Sequence, residues 1–217
     1  MDWHHINTDL FWAEEAFADH VVQIYENDEI LINSLGKFVS GGIQSGEPII
    51  VIATEIHIQD LKNNIRSQGY DMESLQEQNL FIPLIATEVL AEFMINEWPD
   101  DALFEKTIFR IMEKVRHEGH KIRAFGEMVS LLWHEGLYGA TIYLEHLWNK
   151  FCAKYPLCLF CAYPKKAFQD NFASSLQHIC KSHSKMISRI DNGSNEIIYH
   201  DMADATMPDL FSSLLTR

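Results

Sequence analysis

Short apolar runs alternate along the chain with longer segments of helical period. The runs lie at 20–25, 48–53, 80–85, 122–125 and 157–163, and two of them, PIIVIA and LCLFCAY, are apolar at nearly every position. A strand open to solvent on one side alternates apolar with polar residues, whereas a strand covered on both faces does not. The runs therefore predict a parallel sheet with helices on either side. Between them, 28–40 places Ile30, Leu31, Leu35, Phe38 and Val39 on one helical stripe, with Gly41-Gly42 reading as its stop. Further helices are predicted over 58–67, 88–96 and 102–118, the last ended by Gly119, and then over 129–134, 139–154 and about 166–184. The succession predicts an α/β fold built on a mainly parallel, doubly wound sheet of about five or more strands. One domain is expected over 20–190, with an N-terminal extension at 1–19 and an irregular, weakly docked tail at 191–217.

Composition narrows the function. The 217 residues, 47% of them hydrophobic and 22% charged, bury enough apolar surface to offset the chain entropy of folding, which excludes wholesale disorder. A net charge of −14 with no block of Lys and Arg repels a phosphate backbone, so direct nucleic-acid binding is not expected. The start is acidic where a secretory signal would be basic, and no apolar run approaches the roughly 20 residues that span a bilayer. No membrane partner is expected, and the cytoplasm is the expected compartment. Cys158 and Cys161, inside an apolar run, read as reduced core thiols.

The usual catalytic signatures are missing. A phosphate-cradling loop needs glycines and a lysine between strand and helix, but the turn Thr54-Glu55-Ile56-His57 has neither. The glycines at 41–46 precede a strand, so they are no dinucleotide fingerprint. His134-Glu135 lacks the second histidine of a zinc protease, and no G-x-S-x-G elbow occurs. Cys158-x-x-Cys161 with Cys180-x-x-His183 has the spacing of a zinc site. Residues three apart on a strand point to opposite faces, however, so neither a metal nor a cofactor is assigned and no enzyme activity is expected.

What remains is polar residues in apolar surroundings. Arg123 on a covered strand needs a carboxylate nearby, with Glu127 and Glu145 the candidates. Glu145, Trp148 and Asn149 share a helical face by their spacing. Open α/β sheets bind ligands beyond the carboxyl ends of their strands, where Tyr25, Thr54, His57, Glu127 and Tyr163 fall. With Trp133 they complete the candidate ligand-binding set: Tyr25, Thr54, His57, Arg123, Glu127, Trp133, Glu145, Trp148, Asn149 and Tyr163.

HVVQIYEND with His20 and Tyr25, Gly46-Glu47, RAFGEMVSLLW from Arg123, LEHLWN, CAYP at 161–164, and Cys180 with His183 together make the chain resemble the MEDS domain, the sensory domain of methanogen and methylotroph proteins of the DcmR type. The resemblance covers about residues 20–187. It implies a ligand-sensing module of signal transduction, associated with small organic compounds, and a RecA- or KaiC-like core. Residues 46–54, where those ATPases carry their phosphate loop, depart from the pattern. No further domain is expected, so a stand-alone sensor would signal through a separate protein such as a kinase or regulator. Two other readings stand beside it: a small hydrolase using Glu127 with His57 or Arg123, and a degenerate ATPase-like scaffold that only binds proteins.

Overall fold

Apolar runs of β-branched and aromatic residues form the strands, and each expected run is one. The computed structural model describes residues 3–16, 19–115, 121–155, 157–168, 172–191 and 195–203. Its strands are β1 (His4–Asn7), β2 (His20–Tyr25), β3 (Ile49–Ala53), β4 (Phe81–Ile85), β5 (Met94–Ile95), β6 (Trp98–Pro99), β7 (Ile122–Gly126), β8 (Leu157–Pro164), β9 (Lys185–Asp191) and β10 (Glu196–Asp201). Eight of them form one sheet in the order β1-β10-β9-β2-β8-β7-β3-β4, while β5 and β6 make a separate hairpin. Pairing is parallel from β9 to β4 and antiparallel where β10 meets β9 and β1. Pro83, which has no N–H to give a ladder, lies on the edge strand β4.

The helices are α1 (Thr8–Leu10), α2 (Asp28–Gln44), α3 (Glu55–Ser67), α4 (Met72–Glu77), α5 (Ala86–Phe93), α6 (Asp101–Glu113), α7 (Met128–His134), α8 (Tyr138–Lys154) and α9 (Phe172–Lys181). Side-chain oxygens of Asn27, Thr54, Asp71 and Asp100 cap α2, α3, α4 and α6. One face of the sheet (Val21, Val51, Phe125, Phe160) packs on α2, α3 and α4, and the other (Val22, Ile52, Ala124, Leu159) on α5 to α9. Alternate residues of each strand feed opposite cores, which is why the strands are apolar throughout.

Several boundaries differ from the sequence expectation, each for a local reason. Gly41 and Gly42 do not stop α2; they lie inside it, and the helix ends before Gly46 at φ 67°. A Cβ on Gly42 would sit 2.9 Å from Ile49, and one on Gly41 would sit 3.3 Å from Arg123, so these positions keep α2 close to the sheet. α5 stops at Phe93 because Asn96 and Glu97 take φ of 50° and 63° and turn the β5–β6 hairpin. α6 ends at Glu113, with 116–120, including Gly119, outside the described residues. The last expected helix is a 3₁₀ turn at Lys165–Phe168 followed by α9. Segments near both ends of the chain, His4–Asn7 and Glu196–Asp201, are strands of the sheet. β1 and β10 pair with each other, and Trp12 packs on Phe38 and Phe160 at centroid distances of 4.7 and 5.3 Å. Residues 204–217 lie outside the description.

Arg123 corrects the expected pairing. It is the second residue of β7, and four residues of chain carry Glu127 about 13 Å away. Its side chain also lies on the α2 face, opposite α8 and Glu145. Its Nε donates instead to Glu47, just before β3, and Nη1 and Nη2 donate to the carbonyls of Phe38 (3.0 Å) and Trp12 (3.4 Å). At 1% exposure the guanidinium has replaced its water shell with these partners and the Phe38 ring face.

Removing Glu47 alone strands a buried cation. Glu47→Gln is therefore expected to cost about 3–5 kcal/mol, and Arg123→Met combined with Glu47→Leu much less than the sum of the single changes. A urea double-mutant cycle checks this, and additive losses would place the Arg123 charge in solvent.

Candidate functional site

Two polar clusters interrupt the apolar layers. The first stands at the carboxyl ends of β2, β3 and β7, where each chain turns directly into a helix. Glu127 follows β7, and its carboxylate accepts the Thr54 N–H at 2.7 Å and meets His57 Nδ1 at 2.8 Å. His57 Nε2 faces Asp28 at 3.7 Å. The bond to Glu127 is the largest influence raising the His57 pKa above its ordinary 6.5; burial opposes it, and Asp28 and Asp60 add to it. Burial, then Glu127 and Asp28, push the Tyr25 hydroxyl up, so it stays protonated. Both Glu127 oxygens are thus engaged in orienting a backbone turn and an imidazole. The first turns of α2 and α3 carry Asp28, Glu29 and Glu55, charges that oppose a phosphate at either helix start.

The second cluster lies deeper, between β2, β8 and α8. His20 and Cys161 occupy neighbouring parallel strands on the face toward α8, two positions out of register, and their Nε2 and Sγ atoms approach to 3.3 Å. Glu145 enters from α8. Tyr163 donates its hydroxyl to Glu145 Oε1, and His20 Nε2 lies 3.4 Å from Oε2. His183, after α9, brings Nε2 to 3.6 Å from Glu145 Oε1 and packs, tilted, against His20 at a ring distance of 4.0 Å. His20 Nδ1 bonds Asn149 Oδ1 at 3.0 Å, and His183 Nδ1 bonds the Ile179 carbonyl at 2.6 Å. Because Asn Oδ1 and a carbonyl only accept, each Nδ1 carries the proton and each Nε2 turns its lone pair inward. Glu145 Oε2 and His183 Nε2 make no hydrogen bond among the described residues. Burial holds His20 down at about 4 against the Asn149 bond, burial and then His20 hold His183 well below its ordinary 6.5, and burial lifts Glu145 to about 8 against the Tyr163 bond. It also holds Cys161 as a thiol. Near neutral pH the cluster is accordingly uncharged.

An open groove runs beside this cluster. α8 presents Ile142, Tyr143, His146 and Asn149 to it, one stripe of the helix, while Glu145 and Trp148 face inward. α9 and the turn after it supply His178, Lys181 and Ser182. The far wall is Trp98, held out by the β5–β6 turn, half exposed, and packed on Tyr143 at 5.3 Å. Gly139 makes room for it, since a Cβ there would meet the indole at 3.2 Å.

The predicted residues thus divide. Tyr25, Thr54, His57 and Glu127 come together at the strand ends. Tyr163, Glu145 and Asn149 join the buried cluster. Trp133 lies between the two, donating Nε1 to the Ala167 carbonyl at 2.8 Å with its ring 6.3 Å from Tyr163. Trp148 packs edge-to-face on Phe104 at 5.0 Å in the core, and Arg123 sits at the opposite end of the sheet. The candidate ligand-binding set left out His20, Cys161 and His183, which entered only through the family resemblance and a zinc-like spacing, and the groove wall at Trp98. Polar residues inside otherwise apolar strands, His20 above all, were the available signal.

The model of one protein family, described as MEDS (MEthanogen/methylotroph, DcmR Sensory domain), matches residues 19–184. A search of the curated proteins found no match. Among solved structures, the chain is similar to the KaiC-like protein PH0186 from the hyperthermophilic archaeon Pyrococcus horikoshii OT3, with a TM-score of 0.54 and 12% identity over 78% of this chain and 71% of that chain. At that identity the likeness speaks to fold alone, and it agrees with the expected RecA-like α/β class. No helix among the described residues is long and apolar enough to cross a membrane.

The His57 pKa links the first cluster to stability. A group whose folded pKa is raised stabilises the fold fully below its unfolded value, and that stabilisation is lost as pH rises through the folded value. Wild type should therefore exceed Glu127→Gln in urea midpoint by most below about pH 6.5, with the gap narrowing above it. A gap independent of pH would separate His57 from Glu127.

Proposed function

The chain belongs to the MEDS family of sensory domains, and we propose that it is a receptor for a small organic molecule held in the groove beside α8. The observation that carries this reading is Asn149. It lines the groove and also bonds His20, the imidazole that packs on Glu145 and Cys161. A molecule competing for the Asn149 amide alters the partner that fixes the His20 tautomer, and the change reaches a cluster that has few ways to accommodate it. The groove offers aromatic faces in Trp98 and Tyr143 beside imidazole, ammonium and hydroxyl groups. Such a lining suits a short molecule with an apolar body and an alcohol or carboxylate head.

Occupancy is transmitted only if the ligand prefers one of two arrangements of α8 and α9, with typical coupling of about 1–3 kcal/mol. A separate signalling protein that reads this surface is the output we propose, with no catalytic step. The engagement of both Glu127 oxygens supports that reading over a hydrolase. A second reading places the ligand at the strand ends, favoured by the convergence of Tyr25, His57 and Glu127 there.

Thermal shift with short alcohols, carboxylates and aromatics separates these readings. A groove ligand is expected to stabilise the fold by about 2.7 kcal/mol at a hundredfold excess over Kd. Trp98→Ala and Asn149→Ala should lose that shift and His57→Gln should keep it. The reverse pattern places the ligand at the strand ends, and no shift with any compound contradicts the receptor reading. ATP with magnesium is expected to give no shift, because acidic first turns stand where phosphate would bind.

A further inference from the structure

We propose that His20, Glu145, Cys161 and His183 form a binding site for one divalent transition metal of the zinc class. The inference goes beyond the groove reading and does not rest on it. All four residues are buried, and one ligand atom from each lies within 4.8 Å of the others. Around a tetrahedral ion with bonds of about 2.0–2.3 Å, ligand atoms stand roughly 3.3–3.8 Å apart. The separations here are 3.3 Å from His20 Nε2 to Cys161 Sγ and 3.4 Å from His20 Nε2 to Glu145 Oε2, while His183 Nε2 lies 3.6 Å from the other oxygen of the same carboxylate, Oε1.

The surroundings are those of a metal centre. Each imidazole has its Nδ1 tied to an acceptor, Asn149 Oδ1 for His20 and the Ile179 carbonyl for His183. Outer bonds of this kind fix metal-binding histidines in the tautomer that aims Nε2 at the ion. Tyr163 orients the carboxylate in the same way. Within this cluster the side-chain atoms without a hydrogen bond among the described residues are Glu145 Oε2 and His183 Nε2, and both belong to the ligand set. Without an ion, two buried polar atoms are unsatisfied; with one, both are coordinated.

Charge supports the same conclusion. A divalent ion bound by one thiolate and one carboxylate leaves the buried site neutral, the condition under which ionic groups are tolerated in an apolar layer. Binding exchanges the Cys161 thiol proton, and any proton on Glu145, for the metal, and both protons pass to solvent. Two imidazoles, one sulfur and one carboxylate suit a borderline ion such as Zn²⁺ or Co²⁺ and not Mg²⁺ or Ca²⁺, which take oxygen ligands. The C-x-x-C spacing in the sequence names the wrong cysteine pair: Cys158 belongs to the opposite core, and Cys161 alone faces the cluster.

The deciding experiment is Co²⁺ titration of the full chain, expressed without a histidine tag and stripped with chelator. About one equivalent should bind, with the thiolate-to-cobalt charge-transfer band and the strong visible bands of a tetrahedral site. Cys161→Ser should abolish the charge-transfer band, whereas Cys158→Ser, on the same strand but facing the other way, should retain it. Asn149→Ala should weaken Co²⁺ affinity about 10–100-fold. A stripped wild-type chain that is folded by circular dichroism yet takes up no Co²⁺ overturns the proposal, as does a charge-transfer band that survives in Cys161→Ser. Neither outcome bears on organic ligands in the groove.

Discussion

A sheet covered on both faces has no natural place for charge, and each charged or polar side chain inside this one must bring its own partners. Arg123 shows one solution. Glu47 supplies the opposite charge, two carbonyls each accept one further N–H, and glycines on α2 let the helix close over the guanidinium. Glu145, buried on the other face, has no Lys or Arg beside it among the described residues. It has a tyrosine hydroxyl, two imidazoles held in one tautomer and a thiol, and one of its oxygens stays unsatisfied. The Arg123 charge has an opposite charge beside it and the Glu145 carboxyl does not, so the Glu145 cluster is the place where chemistry is to be sought.

α8 connects that cluster to the surface. Its inward stripe places Glu145 against β8 and Trp148 against α6, while its outward stripe lines the groove. Asn149 stands at the edge between them. Groove side and buried cluster are thus joined by one hydrogen bond and one helix. The strand-end cluster around Glu127 stands apart, on turns shaped by capping and short connections, and its bonds hold backbone as well as side chains.

The sequence made the layers legible because apolar runs at every position can only be covered strands, and the five runs all became strands. The convergence of Tyr25, Thr54, His57 and Glu127 was also legible, since residues just past the ends of parallel strands share one edge of the sheet. Strand order was not. Glu47 lies before β3, and nothing local says that β3 neighbours β7 with Ile49 opposite Arg123. Cys161 meets His20 only because β8 inserts beside β2, and His183 arrives from the far end of α9. Gly41-Gly42 misled for a related reason: glycine reads as a stop from propensity, while its role here is close approach to a distant strand.

The most direct test of the buried centre is the tautomeric state of its imidazoles, read by ¹⁵N NMR of histidine-labelled protein near neutral pH. The account predicts that His20 and His183 are both neutral, protonated on Nδ1, with an unprotonated Nε2 facing Glu145 and Cys161. An Nε2-protonated or doubly protonated ring at either position would contradict it.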